Sequence, residues 1–205
     1  MRFSDPTAVA ALIRRKEVHR DVYISPDVFD LEMEYLFPNL WVYVGHASQI
    51  PKPGDFLTND IGRQPILISR HTDGSIHAFY NRCPHKGVKI ASEACGSTGK
   101  FFRCPYHAWS FKTNGELLAI PLKKGYDGTG LDQMQAIKGL APIRGVRVYR
   151  DFIFVRLAEG GIDFEEFFGE SLSSLDNMID RSPAGKLVVA GAPARYMHPC
   201  NWKML

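Results

Sequence analysis

The spacing of apolar residues divides the chain into a helical start, a long β-rich middle and a helical end. Residues 4–20 predict a helix, with Asp5 as N-cap and Pro6 at the first helical position. Ser25-Pro26 repeats that start signal. Val28, Phe29, Leu31, Leu36 and Phe37 then give a short, mostly buried helix that Pro38 stops. From Trp41 the period shortens. WVYVGHASQI, DFLTNDIG, QPILISR, SIHAFYN, GKFFRC, AWSFK and ELLAIP are short runs rich in β-branched and aromatic residues. Thr72-Asp73-Gly74 and Thr113-Asn114-Gly115 read as hairpin turns between them. APIRGVRVYR and DFIFVRL predict a further strand pair, and FEEFFGESLSSLDNMID returns to helix from about residue 158. PLKKGYDGTGLDQMQAI, broken by glycine and proline, is a looser stretch, and its KKGYDGTG part reads as a flexible surface loop. It lacks the spacing and the Lys-Ser/Thr ending of a phosphate loop. The expected division is 1–37, a helical segment; 38–157, a mostly antiparallel β unit; and 158–205, the start of something further. The fold class is therefore mostly β, α+β overall.

Composition narrows the partners. Of 205 residues, 45% are hydrophobic and 23% charged, which fits a globular domain with a real core. A net charge of +3 is too small to argue for nucleic acid. No apolar run approaches the roughly 20 residues of a membrane span, and the N-terminus lacks a signal-peptide layout. The expected location is the cytoplasm, where four cysteines suggest metal binding before disulfides.

The chemistry concentrates in two short motifs. Cys83-Pro84-His85-Lys86-Gly87 is followed by Cys104-Pro105-Tyr106-His107-Ala108-Trp109, with eighteen residues between His85 and Cys104. Each motif offers one thiolate and one imidazole. A Rieske-type [2Fe–2S] cluster takes two thiolates on one iron and two imidazoles on the other, so two loops each giving one ligand to each iron meet the need. Replacing two thiolates by neutral imidazoles raises the potential to roughly −150 to +300 mV, against about −400 mV for an all-cysteine plant-type cluster. A structural Cys₂His₂ zinc site is the competitor, but zinc fingers pair C-x₂₋₄-C with H-x₃₋₅-H and do not alternate Cys-His, Cys-His. Cys83, His85, Cys104 and His107 are thus the candidate cofactor and metal ligands. Pro84 and Pro105 stiffen the loops, and Gly87 supplies a turn that a Cβ would obstruct.

NRCPHKG and FRCPYHAWSF resemble the Rieske motifs of the large (alpha) subunits of aromatic-ring-hydroxylating dioxygenases. EMEYLFPNLWVYVGHASQIPKPGDF, ELLAIP and FIFVRL are similar to the flanking segments, so the resemblance covers most of 30–157. It implies a Rieske domain of antiparallel sheets with two cluster-binding hairpin loops. CNWKML resembles the lead-in to the family's catalytic domain, whose mononuclear Fe(II) is held by two His and one Asp. Neither that motif nor any catalytic residue occurs here, so the chain reads as an N-terminal fragment. The remaining histidines (His19, His46, His71, His77 and His198) read as surface or packing residues. The resemblance further implies O₂ and NAD(P)H-derived electrons as co-substrates, and a ferredoxin or flavin reductase as donor. It implies a homotrimeric assembly (α3 or α3β3), with a neighbour's carboxylate bridging His107 and a histidine that binds the mononuclear iron. It also implies an aromatic substrate, with an aromatic carboxylate preferred. The alternative is a stand-alone Rieske-type ferredoxin, which would have no use for residues 1–37 and 158–205.

Three lesser signals complete the reading. Cys95 and Cys200 are expected to be free thiols or packing residues. Tyr106 and Trp109 are expected to pack around the cluster loops. Arg82, Lys86, Lys89, Lys100 and Arg103, opposed only by Glu93, form a basic stretch that reads either as a docking face for an acidic electron donor or as a plain solvated surface.

Overall fold

The computed structural model describes residues 5–128, 137–191, 194 and 196–204. Its centre is a five-stranded antiparallel sheet in the order β11-β6-β5-β4-β7. The strands are β4 (Asp55–Ile61), β5 (Gln64–Arg70), β6 (Ile76–Tyr80), β7 (Cys95–Ser97) and β11 (Pro142–Ile143). A three-stranded sheet, β12-β13-β3, lies on one face, built from β3 (Val42–His46), β12 (Gly145–Tyr149) and β13 (Phe152–Arg156). On the other face lies β10-β9-β8, built from β8 (Phe101–Arg103), β9 (Ser110–Lys112) and β10 (Leu117–Ala119).

Strand alternation explains why the central sheet needs cover on both faces. Successive side chains point to opposite faces of a strand. On β5, Ile66 and Ile68 enter one core with Val44, Leu57, Ala78, Ile153 and Val155. Leu67, between them, enters a second core with Phe56, Phe79, Phe102, Trp109 and Phe111. The run Ile-Leu-Ile is continuous because both faces are buried. The second core also contains Cys83 and Cys104, so the candidate ligands are built into its edge. At the β9–β10 turn, Gly115 has φ +86°, and a Cβ there would stand 2.2 Å from the Phe79 ring. Glycine lets this turn close down on the central sheet.

The helical ends differ from their sequence reading. The predicted helix over 4–20 is one short helix, α1 (Pro6–Ala10), capped by Asp5, which accepts from the Thr7 and Ala8 amides at 2.8 and 3.1 Å. Ser4 lies outside the described residues. The chain then forms a small hairpin of β1 (Ile13–Arg14) and β2 (Glu17–Val18), in which β-branched Ile13 pairs with Val18. Leu12 is buried against Val22 and Val28, a contact the turn makes possible and a continued helix would redirect. Then come α2 (Asp21–Ile24) and α3 (Pro26–Leu31), and the chain continues through a π-helical turn, Glu32–Leu36, into a 3₁₀ turn, Phe37–Asn39, that contains Pro38. The C-terminal helix is broken at Gly169 (φ +49°) into α4 (Phe164–Phe168) and α5 (Ser171–Asp180). Phe164 packs edge-on to Trp41 at 5.6 Å and against Phe154 at 5.1 Å, so α4 is seated on the β12-β13-β3 sheet.

The two ends of the chain meet. Lys203 Nζ donates to both Glu32 carboxylate oxygens at 2.6 and 2.9 Å, and the Trp202 indole donates to the same carboxylate at 2.9 Å. Trp202 also packs edge-on to Phe37 at 5.3 Å. This ion pair is mostly buried (side chains 16% and 13% exposed), where removing one partner strands the other charge. No helix is long and apolar enough to cross a membrane among the described residues.

Candidate metal centre

Two turns carry the four candidate ligands. The first leaves β6 and runs from Cys83 to Val88; the second joins β8 to β9 and runs from Cys104 to Trp109. They share one hydrogen-bond pattern. The Gly87 amide donates to the Cys83 carbonyl at 2.8 Å, and the Cys83 amide donates to the Val88 carbonyl at 2.8 Å. In the second turn the Ala108 amide donates to the Cys104 carbonyl at 3.0 Å, and the Cys104 amide to the Trp109 carbonyl at 2.8 Å. The fifth residue of each turn is left-handed: Gly87 at φ +74° and Ala108 at φ +56°. Nothing lies within 4 Å of a Cβ built on Gly87. Its glycine therefore answers a backbone angle that a Cβ would strain, as expected, and no neighbouring atom adds to that strain.

Asn81 anchors the first turn from below. It is 2% exposed, its side-chain oxygen accepts from the Ile90 and Ala91 amides at 3.0 and 3.1 Å, and its amide donates to the Ala91 carbonyl at 2.7 Å. Sequence reasoning passed over this residue. A polar side chain at the end of an apolar strand, next to a cysteine motif, was the available signal.

The donor set suits a two-iron cluster. Cys83 and Cys104 are both buried in the same core, and the Cys104 thiol acts directly on that of Cys83. The His85 and His107 rings are neighbours, with centroids 4.7 Å apart. Thiols thus pair with thiols and imidazoles with imidazoles, as a cluster with one iron of each kind requires. The Nδ1 atom of His85 is buried and has no hydrogen-bond partner, a costly arrangement that a metal would relieve. Burial pushes the Cys83 thiol up, and Cys104 beside it adds to this, while the backbone N–H groups of His85 and Lys86 oppose it by donating to the sulfur. Burial likewise pulls His85 down, helped by His107 and Lys86, and so keeps the imidazole neutral as a ligand must be. No three His, Cys, Asp or Glu side chains converge on one ion among the described residues. The two-and-two arrangement asks for no such convergence.

The two imidazoles have unlike surroundings. Trp109, fully buried, lies flat on His85, 5.0 Å between centroids and 3° between planes. Tyr126 meets His85 edge-on at 6.0 Å. His107 is exposed, with the Tyr106 ring leaning on it at 3.7 Å. Trp109 is the packing residue that its position suggested, whereas Tyr106 is 62% exposed and belongs to the surface. Tyr126 corrects the flexible-loop reading of 123–130, within the looser stretch 121–137. It ends a 3₁₀ turn, Lys123–Tyr126, that is held against the centre; residues 129–136 of that stretch lie outside the described residues.

The other predicted residues fall elsewhere. Arg82, Lys86, Lys89, Lys100 and Arg103 are all exposed, and none forms an ion pair among the described residues. Arg82 donates to the Gln64 side chain. Cys95 and Cys200 are exposed free thiols, Cys95 on β7. His46 is buried and its Nδ1 accepts from the Ser48 amide as a helix cap. His71 and His77 face each other at 5.9 Å, away from both turns, where His71 bonds to Thr113 at 2.7 Å.

Comparison with known proteins agrees with this geometry. Residues 40–140 match the Rieske [2Fe-2S] domain. The chain is 38% identical over 188 residues to the large subunit of anthranilate 1,2-dioxygenase from Acinetobacter baylyi, covering 91% of this chain and 39% of that protein. It is 37% identical over 188 residues to the alpha subunit of toluate 1,2-dioxygenase from Pseudomonas putida, covering 90% and 40%. A crystal structure of naphthalene 1,2-dioxygenase from Rhodococcus sp., bound to indole, superposes with a TM-score of 0.84 at 31% identity, over 97% of this chain and 44% of that one. The chain spans about two-fifths of the length of the curated relatives it matches. Residues 40–140 are thus a Rieske [2Fe–2S] domain, and over nine-tenths of its length the chain is similar to part of the large subunits of aromatic-ring dioxygenases.

Proposed function

We propose that Cys83 and Cys104 hold one iron of the [2Fe–2S] cluster and His85 and His107 the other, and that this centre is the electron-accepting part of an aromatic-ring-hydroxylating oxygenase. The pairing of thiol with thiol and imidazole with imidazole at the tips of two matching turns carries this reading. When bound, the cluster supplies one-electron storage at a potential raised by its imidazole ligands. The chain's own residues do the rest. The backbone donors at Cys83 favour the thiolate, the burial of His85 favours its neutral form, and Trp109 fixes the plane of the His85 ring.

A redox titration of the purified chain tests the assignment. A visible chromophore with a midpoint inside the Rieske window of roughly −150 to +300 mV is expected. A colourless protein containing zinc would overturn it.

The wider reading follows the relatives. The chain would work with O₂ and NAD(P)H-derived electrons delivered by a ferredoxin or a flavin reductase. It would pass them to a mononuclear Fe(II) held by two His and one carboxylate outside residues 1–205. In a trimer, a carboxylate of the neighbouring subunit would accept a hydrogen bond from His107, whose exposure leaves it open to such a partner. Residues 38–157 would form the Rieske domain, and residues 1–37 and 158–205 the parts that join it to a catalytic domain. Anthranilate and toluate are both aromatic carboxylates, which favours a substrate of that class. Four free cysteines suit a cytoplasmic setting. A stand-alone ferredoxin would leave the similarity over nine-tenths of the chain without a reason.

A further inference from the structure

Tyr126 lies outside both cluster turns, yet it touches the centre. The chain reaches it through Leu122, held in the left-handed region at φ +53° and ψ +38°, and then through the single 3₁₀ turn Lys123–Tyr126. The Tyr126 ring stands edge-on to His85 at 6.0 Å and 83°, and edge-on to Trp109 at 6.3 Å and 86°. Trp109 and His85 are themselves stacked within 3° of parallel. Three rings therefore form a corner, with the indole lying flat on the imidazole and the phenol upright against both. On the opposite imidazole there is no such corner, because His107 is exposed and Tyr106 beside it is a surface residue.

We propose that Tyr126 is a positioning residue that shields the half-buried His85 side of the cluster from water, leaves His107 as the more exposed of the two imidazoles, and thereby holds the reduction potential below that of an open site. The proposal rests on the assignment of the four ligands to a [2Fe–2S] cluster. Charge counting gives its direction. Two ferric ions, two sulfides, two thiolates and two neutral imidazoles sum to zero, and one added electron leaves −1. Water solvates the charged, reduced form better than an aromatic ring edge does. Admitting water beside His85 stabilises the reduced state, and the potential rises. Burial around a cluster is a recognised lever on its potential.

The test is a redox titration of the full chain in its iron–sulfur form, followed by visible absorbance and by paramagnetic resonance of the reduced state. Tyr126→Ala should raise the midpoint. Tyr126→Phe, which keeps the ring and loses the hydroxyl, should leave it where the native protein has it. The alanine variant should also lose its chromophore to a chelator several-fold faster. An unchanged or lowered midpoint in Tyr126→Ala overturns the proposal, and so does a Phe variant that shifts as far as the Ala variant. Should Tyr126→Ala fail to retain a cluster, Tyr126→Val decides by the same measurement, with a raised midpoint supporting the wall and an unchanged one overturning it. If the native chain shows no Rieske-type signal at all, the cluster assignment itself has failed, and this inference falls with it.

Discussion

The two cluster turns share a backbone and differ in almost everything attached to it. Both close a cysteine carbonyl onto the amide four residues later, and both have a left-handed fifth residue. The first places its histidine two residues after the cysteine, and the second places it three residues after. His85 lies against Trp109 and Tyr126, whereas His107 lies in the open beside Tyr106. A repeated turn thus carries an asymmetric centre, with one imidazole half-buried and the other exposed.

The first way to break the symmetry of the turns is to remove a thiol. Cys83→Ser and Cys104→Ser should be equally severe, because each leaves one iron with a single sulfur from the protein. Iron and sulfide content should fall beyond the roughly 10–100-fold that loss of an outer partner costs in metal affinity. A variant of either cysteine that keeps a full chromophore would show that the turns do not share the cluster evenly.

Asn81 offers the next largest effect, and it should touch one turn alone. Asn81→Ala leaves two amides and a carbonyl buried without partners. At 1–3 kcal/mol for each group before relaxation, the net loss should be about 3 kcal/mol. Thermal unfolding should then fall by about 6–12 °C for a chain of this size. A Tm within about 2 °C of the native value would mean that the first turn is held by its own bonds.

The exposed side of the centre should be sensitive to salt. Arg82, Lys86, Lys89, Lys100 and Arg103 carry no paired carboxylate among the described residues. Reduction by the physiological donor should slow as ionic strength rises past 0.1 M, where the screening length is about 10 Å. A rate that stays flat with salt would remove docking from the role of this face.

The smallest expected effect is the most direct comparison of the two backbones. Gly87→Ala introduces a Cβ at φ +74° with open space around it, so the cost is conformational only, about 1 kcal/mol. Ala108→Gly relieves the same strain at φ +56° and should stabilise by about 0.5 kcal/mol after the extra freedom of the unfolded chain is counted. Denaturant midpoints that move in the same direction for both would show that the turns are not equivalent.

The candidate ligands and most strands stand out in the sequence because local chemistry specifies them. Cys-x-His and Cys-x-x-His state a donor set in a few residues, and QPILISR announces a strand buried on both faces. The misses share a different cause. The reading of 4–20 as one helix failed because Leu12 is buried by contacts with Val22 and Val28, which lie beyond the window of any local period. β7 pairs with β4 through only three residues, Cys95, Gly96 and Ser97, and carries no apolar pattern. Tyr126 sits among glycines and lysines that read as open loop, and only tertiary packing brings its ring to His85. The left-handed Ala108 was hidden for a simpler reason: alanine gives no sign of positive φ, as glycine does.

The clasp of Trp202 and Lys203 on Glu32 ties residues 202–203 to the helical edge of the fold. Glu32 leads into Met33 and Phe37, which pack over Gly62 at the far end of the β4–β5 hairpin. Neither cluster turn takes part in these contacts, so the attachment of residues 202–203 is built separately from the spacing of the candidate ligands.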